Sequence, residues 1–110
     1  NITVISIIGR FLEHSRIFWF ANNGSPEAYL GSADWMRRNL DRRIEAVTPI
    51  DSAKLRKRLE KLLNLYLKDN REAWEMQRDG SFIKRDSDTK PRSTQNDLIE
   101  LWQKEQSRNT

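Results

Sequence analysis

The chain has 110 residues, no cysteine and one histidine, which excludes a disulfide scaffold, a thiolate metal site, a cysteine nucleophile and a His-rich metal cage. Twenty Lys and Arg stand against sixteen Asp and Glu, a formal net charge of +4, and Leu, Ile, Val and Phe supply 26 residues, enough for a modest core. No apolar run approaches the roughly 20 residues that span a bilayer, no signal-peptide pattern opens the chain, and the start at Asn1 without Met reads as a fragment of something longer.

Ile2 to Ile8 is β-branched nearly throughout and reads as a strand buried on both faces. Ile8, Phe11 and Leu12 then fall at helical spacing, which suggests a turn or two carrying Arg10, Glu13 and His14. Ile17 to Phe20 is a second strand, Asn22 to Pro26 a turn, and Ala28 to Gly31 a third strand, so residues 17–31 form a hairpin. Trp35 to Arg43 reads as an irregular or short helical connection. Ile44 to Val47 is a fourth strand, and Pro49 ends the unit.

The second half changes character. Asp51 or Ser52 is an N-cap, after which Leu55, Leu59, Leu62, Leu63 and Tyr66 line one face of an amphipathic helix. Residues 68–94 read as loop-rich with one short strand, an Asp79-Gly80 turn and mobility around Asp86 to Arg92. Thr94 with Asp97 resembles a capping box, and Leu98, Leu101 and Trp102 line a closing helix. Strands with short connections followed by two helices give an α/β fold, a mixed sheet with flanking helices. The fifty strand-rich residues alone are too few to close both sheet faces.

The charge is unevenly placed. Residues 1–50 carry six Arg (10, 16, 37, 38, 42 and 43) and no Lys, whereas residues 51–110 carry seven of each among eleven acids. The second pattern is that of a solvated helical surface. Guanidinium, by contrast, is a planar fork suited to phosphate oxygens. In Gly9-Arg10-Phe11-Leu12-Glu13-His14-Ser15-Arg16 one imidazole sits between two such forks. That imidazole suits hydrogen bonding to phosphate or proton transfer during phosphoryl transfer. A structural histidine bonded to backbone is the bland alternative. Gly31-Ser32 offers backbone N–H groups beside a hydroxyl, a place for an anion. Arg38 and Arg42, one turn apart, could face one ligand, while Arg37 and Arg38 could not. Trp19 and Trp35 suit either base stacking or a core. Asp34, Asp41 and Glu45 show no metal-binding spacing and read as solvated surface. Neither a Gly-x-x-x-x-Gly-Lys-Ser/Thr loop nor a Gly-x-Gly-x-x-Gly occurs.

Two ungapped blocks, residues 6–17 (SIIGRFLEHSRI) and 29–45 (YLGSADWMRRNLDRRIE), resemble the C-terminal domain of long-type polyphosphate kinases. The resemblance covers most of residues 1–50, and residues 51–110 match only in pattern. It implies a domain similar to phospholipase D folds, with a Gly-Ser-Ala-Asp block like half of the phospholipase D signature and without the His-x-Lys half. It also implies the reversible transfer of the terminal phosphate of ATP to inorganic polyphosphate through a phosphohistidine. His14 would be the second active-site histidine, binding nucleotide phosphate and a candidate for proton transfer. Arg38 and Arg43 would be phosphate or structural charges. The phosphorylated histidine and the magnesium-linked residues would lie outside this chain, leaving no metal site within it and no activity in the fragment.

The expected organisation is therefore one C-terminal domain fragment, with residues 1–50 the strand-rich active-site half and 51–110 a helical tail looped near 84–92. Expected partners are ATP or ADP, inorganic polyphosphate and the rest of the kinase chain, in a homo-oligomer. The expected location is cytoplasmic, with membrane association of the full-length enzyme as an option. Two other readings stay open: a non-enzymatic Arg-rich nucleic-acid or polyanion-binding module, and an autonomous phospholipase D-like hydrolase.

Overall fold

The elements in chain order are β1 (Ile5–Ile7), β2 (Ile17–Phe20), β3 (Glu27–Gly31), α1 (Arg37–Arg42), β4 (Val47–Pro49), α2 (Ala53–Lys68), β5 (Ala73–Met76), β6 (Phe82–Lys84) and α3 (Thr94–Arg108). The computed structural model describes every residue except Ser15, Trp35, Ser87, Asp88, Thr89 and Thr110, and every side chain but those and Asn39. Base stacking by Trp35 and the middle of the 86–92 loop therefore lie outside the described residues. The α/β class is as expected. Among the described residues the sheet comes in two three-stranded pieces, ordered β1-β5-β6 and β2-β3-β4, and every pair is antiparallel.

The chain divides into two compact units, Asn1–Leu12 with Leu63–Thr110, and Glu13–Leu62. In the second of these, β2 and β3 make the expected hairpin, with Ile17 opposite Leu30 and Phe20 opposite Glu27. Asn22 and Asn23 take positive φ in the connecting turn, which asparagine tolerates better than most residues. The fourth strand lies later than expected, at Val47–Pro49 rather than 44–47, because Gly31 pairs with Val47 and Tyr29 with Pro49. Pro49 is accommodated because β4 is an edge strand. Residues 37–42 of the expected connection are helical, as α1. The start of α2 follows the sequence closely: the Leu55 N–H donates to the Ser52 hydroxyl at 3.3 Å, an N-cap bond.

In the other unit β1 is shorter and less buried than a strand closed on both faces. It is an edge strand, half-buried over Ile5–Ile7, while Ile2 and Ile8 are 91% and 68% exposed. The expected turn of helix at residues 8–14 does not form over Phe11. Its N–H donates to the Gln95 side chain and its carbonyl accepts from the same amide, both at 2.9 Å. A side chain from α3 thus takes the backbone groups a helix would need.

Two strands, not one, occupy the stretch after α2. β5 pairs with β1 on one side and β6 on the other, and the turn at Asp79-Gly80 closes the hairpin with Gly80 at φ +86. The tail of the 84–92 loop is fastened: Asn70 donates its backbone N–H to the Arg92 carbonyl (2.9 Å) and its side-chain amide to the Lys90 carbonyl (3.2 Å), and accepts from the Arg92 N–H (2.8 Å). α3 begins at Thr94 as expected, but Ser93 is its N-cap residue and makes no side-chain cap. The Thr94 hydroxyl instead donates to the Leu65 carbonyl at 3.1 Å.

Among the described residues the most buried are small or polar: Ala28, Ala33 and Ala73, with Asp69, Thr94 and Gln95. Asp69 organises this polar group. Its Oδ1 accepts N–H bonds from Arg71, Glu72 and Ala73 at 2.8–3.1 Å, and its Oδ2 accepts from Thr94 at 2.8 Å. Burial pushes its pKa up, but the bonds from Thr94, Glu72 and Arg71 outweigh burial and hold the carboxyl below its ordinary value.

Candidate functional site: an arginine fork beside His14

Arg16 stands just before β2, and its main chain is stitched to the end of β3 by the Gly31 N–H, which donates to its carbonyl at 3.1 Å. Its guanidinium reaches Asp34, three residues beyond β3, with Nε to Oδ1 at 2.8 Å and Nη2 to Oδ2 at 3.2 Å. The remaining nitrogen, Nη1, donates to the His14 carbonyl at 2.9 Å. One planar group therefore ties the residue before β2, the segment after β3 and the main chain of His14.

The hydrogen bond to Asp34 raises the Arg16 pKa above its ordinary value against the opposing effect of burial, and the charges of Asp34 and Glu45 add to it. Asp34 is lowered in turn, first by the Arg16 hydrogen bond, which outweighs burial, then by the charges of Arg16, Arg38 and His14. Arg38 and His14 thus lie within the electrostatic reach of one carboxylate. Both are exposed, and among the described residues no hydrogen bond or ion pair engages the side chain of His14. Arg43 follows α1 in extended backbone and is exposed; no described hydrogen bond or ion pair links it to Asp34.

Three sequence readings change here. Gly31-Ser32 is not open to an anion, because the Ser32 N–H donates to the Ala46 carbonyl (3.0 Å) and its hydroxyl donates to Glu45 (2.6 Å) while accepting from the Ala46 N–H (3.1 Å). Asp34, Asp41 and Glu45 are not merely solvated: they hold Arg16, Arg37 (3.1 Å) and Ser32. The Arg16–Asp34 pair itself was overlooked. The signal for it is two opposite charges at the same end of the 17–31 hairpin, one just before its first strand and one just after its second. Among the described residues no group of three or more His, Cys, Asp or Glu side chains could hold a metal ion, and no helix is long and apolar enough to cross a membrane.

A family model described as polyphosphate kinase C-terminal domain 2 matches residues 1–96. The chain belongs to that family. It is 65% identical over 104 residues to a polyphosphate kinase of Parasynechococcus marenigrum, covering 93% of this chain and 15% of that protein. It is 52% identical over 102 residues to one from Pseudomonas aeruginosa, covering 91% of this chain and again 15% of the relative. The crystal structure of a polyphosphate kinase from Porphyromonas gingivalis superposes with a TM-score of 0.89 at 37% identity, covering all of this chain and 17% of that one. The chain thus spans about a sixth of the length of these relatives.

Proposed function

We propose that this chain supplies part of the phosphate-binding surface of a polyphosphate kinase, which reversibly moves the terminal phosphate of ATP onto inorganic polyphosphate. The observation that carries the reading is the exposed His14, its carbonyl gripped by Arg16, in a chain of this family. Phosphoryl transfer depends mostly on positioning and on neutralising charge around a loose transition state. An imidazole that donates to a phosphate oxygen or moves a proton there, with arginine forks beside it, suits that task. Arg38 and Arg43 join His14 in this role on family resemblance.

By family resemblance the histidine that takes the phosphate lies outside this chain and His14 is the second one, so the chain alone is expected to be inactive. Asp34 is engaged by Arg16 and Asp69 by four backbone N–H groups, so neither fits a cation site, and family resemblance assigns magnesium to residues outside this chain. ATP or ADP, polyphosphate, the rest of the kinase chain and a second copy of it are the partners, and the cytoplasm is the compartment. Polyphosphate is a linear polyanion, so its binding weakens with salt.

The first test is His14→Ala in the full-length enzyme, with a loss of polyphosphate synthesis of about 100-fold or more expected. Unchanged synthesis would overturn the site. A second test titrates the chain with polyphosphate at two salt concentrations. Binding weakens at the higher salt and in His14→Ala/Arg43→Ala. A preference for nucleic acid over polyphosphate of equal charge would favour a nucleic-acid module instead.

A further inference from the structure

We propose that Arg16 and Asp34 form a positioning device for His14, holding in place, through its backbone carbonyl, the main chain from which the imidazole projects. The inference rests on the reading of His14 as a phosphate-contacting residue. Its starting point is geometric. A guanidinium is rigid and planar, so once Nε and Nη2 are docked on both Asp34 oxygens, the direction of Nη1 is set. That third donor meets the His14 carbonyl. The Arg16 main chain is also tied to Gly31, so neither end of the strut is free to drift.

His14 needs such a strut. It is exposed, and among the described residues no hydrogen bond engages its ring, so the hold on its main chain is what places it. The ion pair is partly open to water, with Arg16 and Asp34 side chains 27% and 44% exposed. Pairs of that kind contribute little to global stability. A bidentate pair so placed has its larger effect on where His14 stands.

The test is a double-mutant cycle in the full-length enzyme, comparing Arg16→Ala in the wild-type and His14→Ala backgrounds. In the wild-type background kcat is expected to fall about 10- to 100-fold, the scale of a small misplacement, with little change in KM for ATP. In the His14→Ala background the same substitution costs almost nothing further, because the two residues act as one unit. Arg16→Lys keeps the charge without the fork and remains impaired. Millimolar guanidinium partly restores Arg16→Ala, and does so only where His14 is present.

Equal losses from Arg16→Ala in both backgrounds would overturn the positioning role while leaving His14 in the site. Full activity in Arg16→Lys would likewise overturn it, since charge alone would then suffice. A His14→Ala enzyme with normal activity would remove the functional reading itself, and this proposal with it.

Discussion

Two aspartates organise the two units, and they do so in opposite ways. Asp69 is fully buried and gathers four backbone N–H groups, from Arg71, Glu72, Ala73 and Thr94. Asp34 is half-buried and gathers one side chain, the Arg16 fork, whose free nitrogen then reaches His14. Both carboxyls are held below their ordinary pKa, so the shift alone does not separate them. What separates them is the kind of donor. Backbone donors belong to the fold, and a carboxylate that caps them specifies a turn. A guanidinium donor can be shared with something else, and here it is.

The comparison breaks most visibly at Asp69. Asp69→Ala leaves buried N–H groups without an acceptor and is expected to destabilise its unit by about 3 kcal/mol. Hydrogen exchange at the Glu72, Ala73 and Thr94 amides reads the loss directly, and unchanged protection there would mean the carboxylate is dispensable. Asp69→Asn is the finer probe. Its oxygen can still serve the three donors on one side, but its amide faces the Thr94 N–H, so a cost of about 1–2 kcal/mol is expected.

Acid offers the same contrast without mutation. Asp69 has a folded pKa below its unfolded value of about 3.9, so between the two the unfolded chain binds more protons and stability rises with pH. Its contribution is complete above the unfolded pKa and disappears as pH falls through the folded one. Urea midpoints measured from pH 5 down to about pH 2 should show this slope in the wild type and lose much of it in Asp69→Asn.

Gly9→Ala probes the buried polar group from the side. A Cβ there would fall against the Glu72 carboxylate and 2.7 Å from the Gln95 side-chain oxygen that receives the Phe11 N–H. Displacing Gln95 is expected to cost about 1 kcal/mol and to speed exchange at the Phe11 amide. The smallest expected stability effect is at Asp34. Asp34→Asn should leave the urea midpoint almost unmoved while polyphosphate synthesis by the full-length enzyme drops, since the pair is open to water and acts through His14. A large stability loss with intact synthesis would reverse the roles assigned to the two aspartates.

Much of this architecture is legible in the residues, and the failures have physical causes. The β2–β3 hairpin and α2 announce themselves through local signals: β-branched and aromatic runs around an Asn-Gly turn, and a capped leucine stripe. β5 does not. Ala73-Trp74-Glu75-Met76 has little strand character of its own, and its state comes from pairing with β1 and β6. Thr94 was legible as the start of α3 but not as a donor to Leu65, because that bond depends on a distant partner. Asp69-Asn70 directly after a helix is a turn signal that could have been read. At the candidate site, the sequence pattern and the family resemblance point to His14, Arg38 and Arg43. The signal for Arg16 and Asp34 as a pair is weaker, two opposite charges flanking the expected hairpin, and it becomes a contact only on the hairpin's closure.

The scarcity of large buried apolar side chains has a calorimetric consequence. Among the described residues the largest fully buried side chains are Thr94 and Asp69, while Ile44, Ile2 and Leu12 are almost wholly exposed. Melting such a chain wets little hydrocarbon that was dry before. Its heat-capacity increment therefore falls below the usual 12–15 cal/mol/K per residue, roughly speaking, and its stability curve is correspondingly flat with temperature.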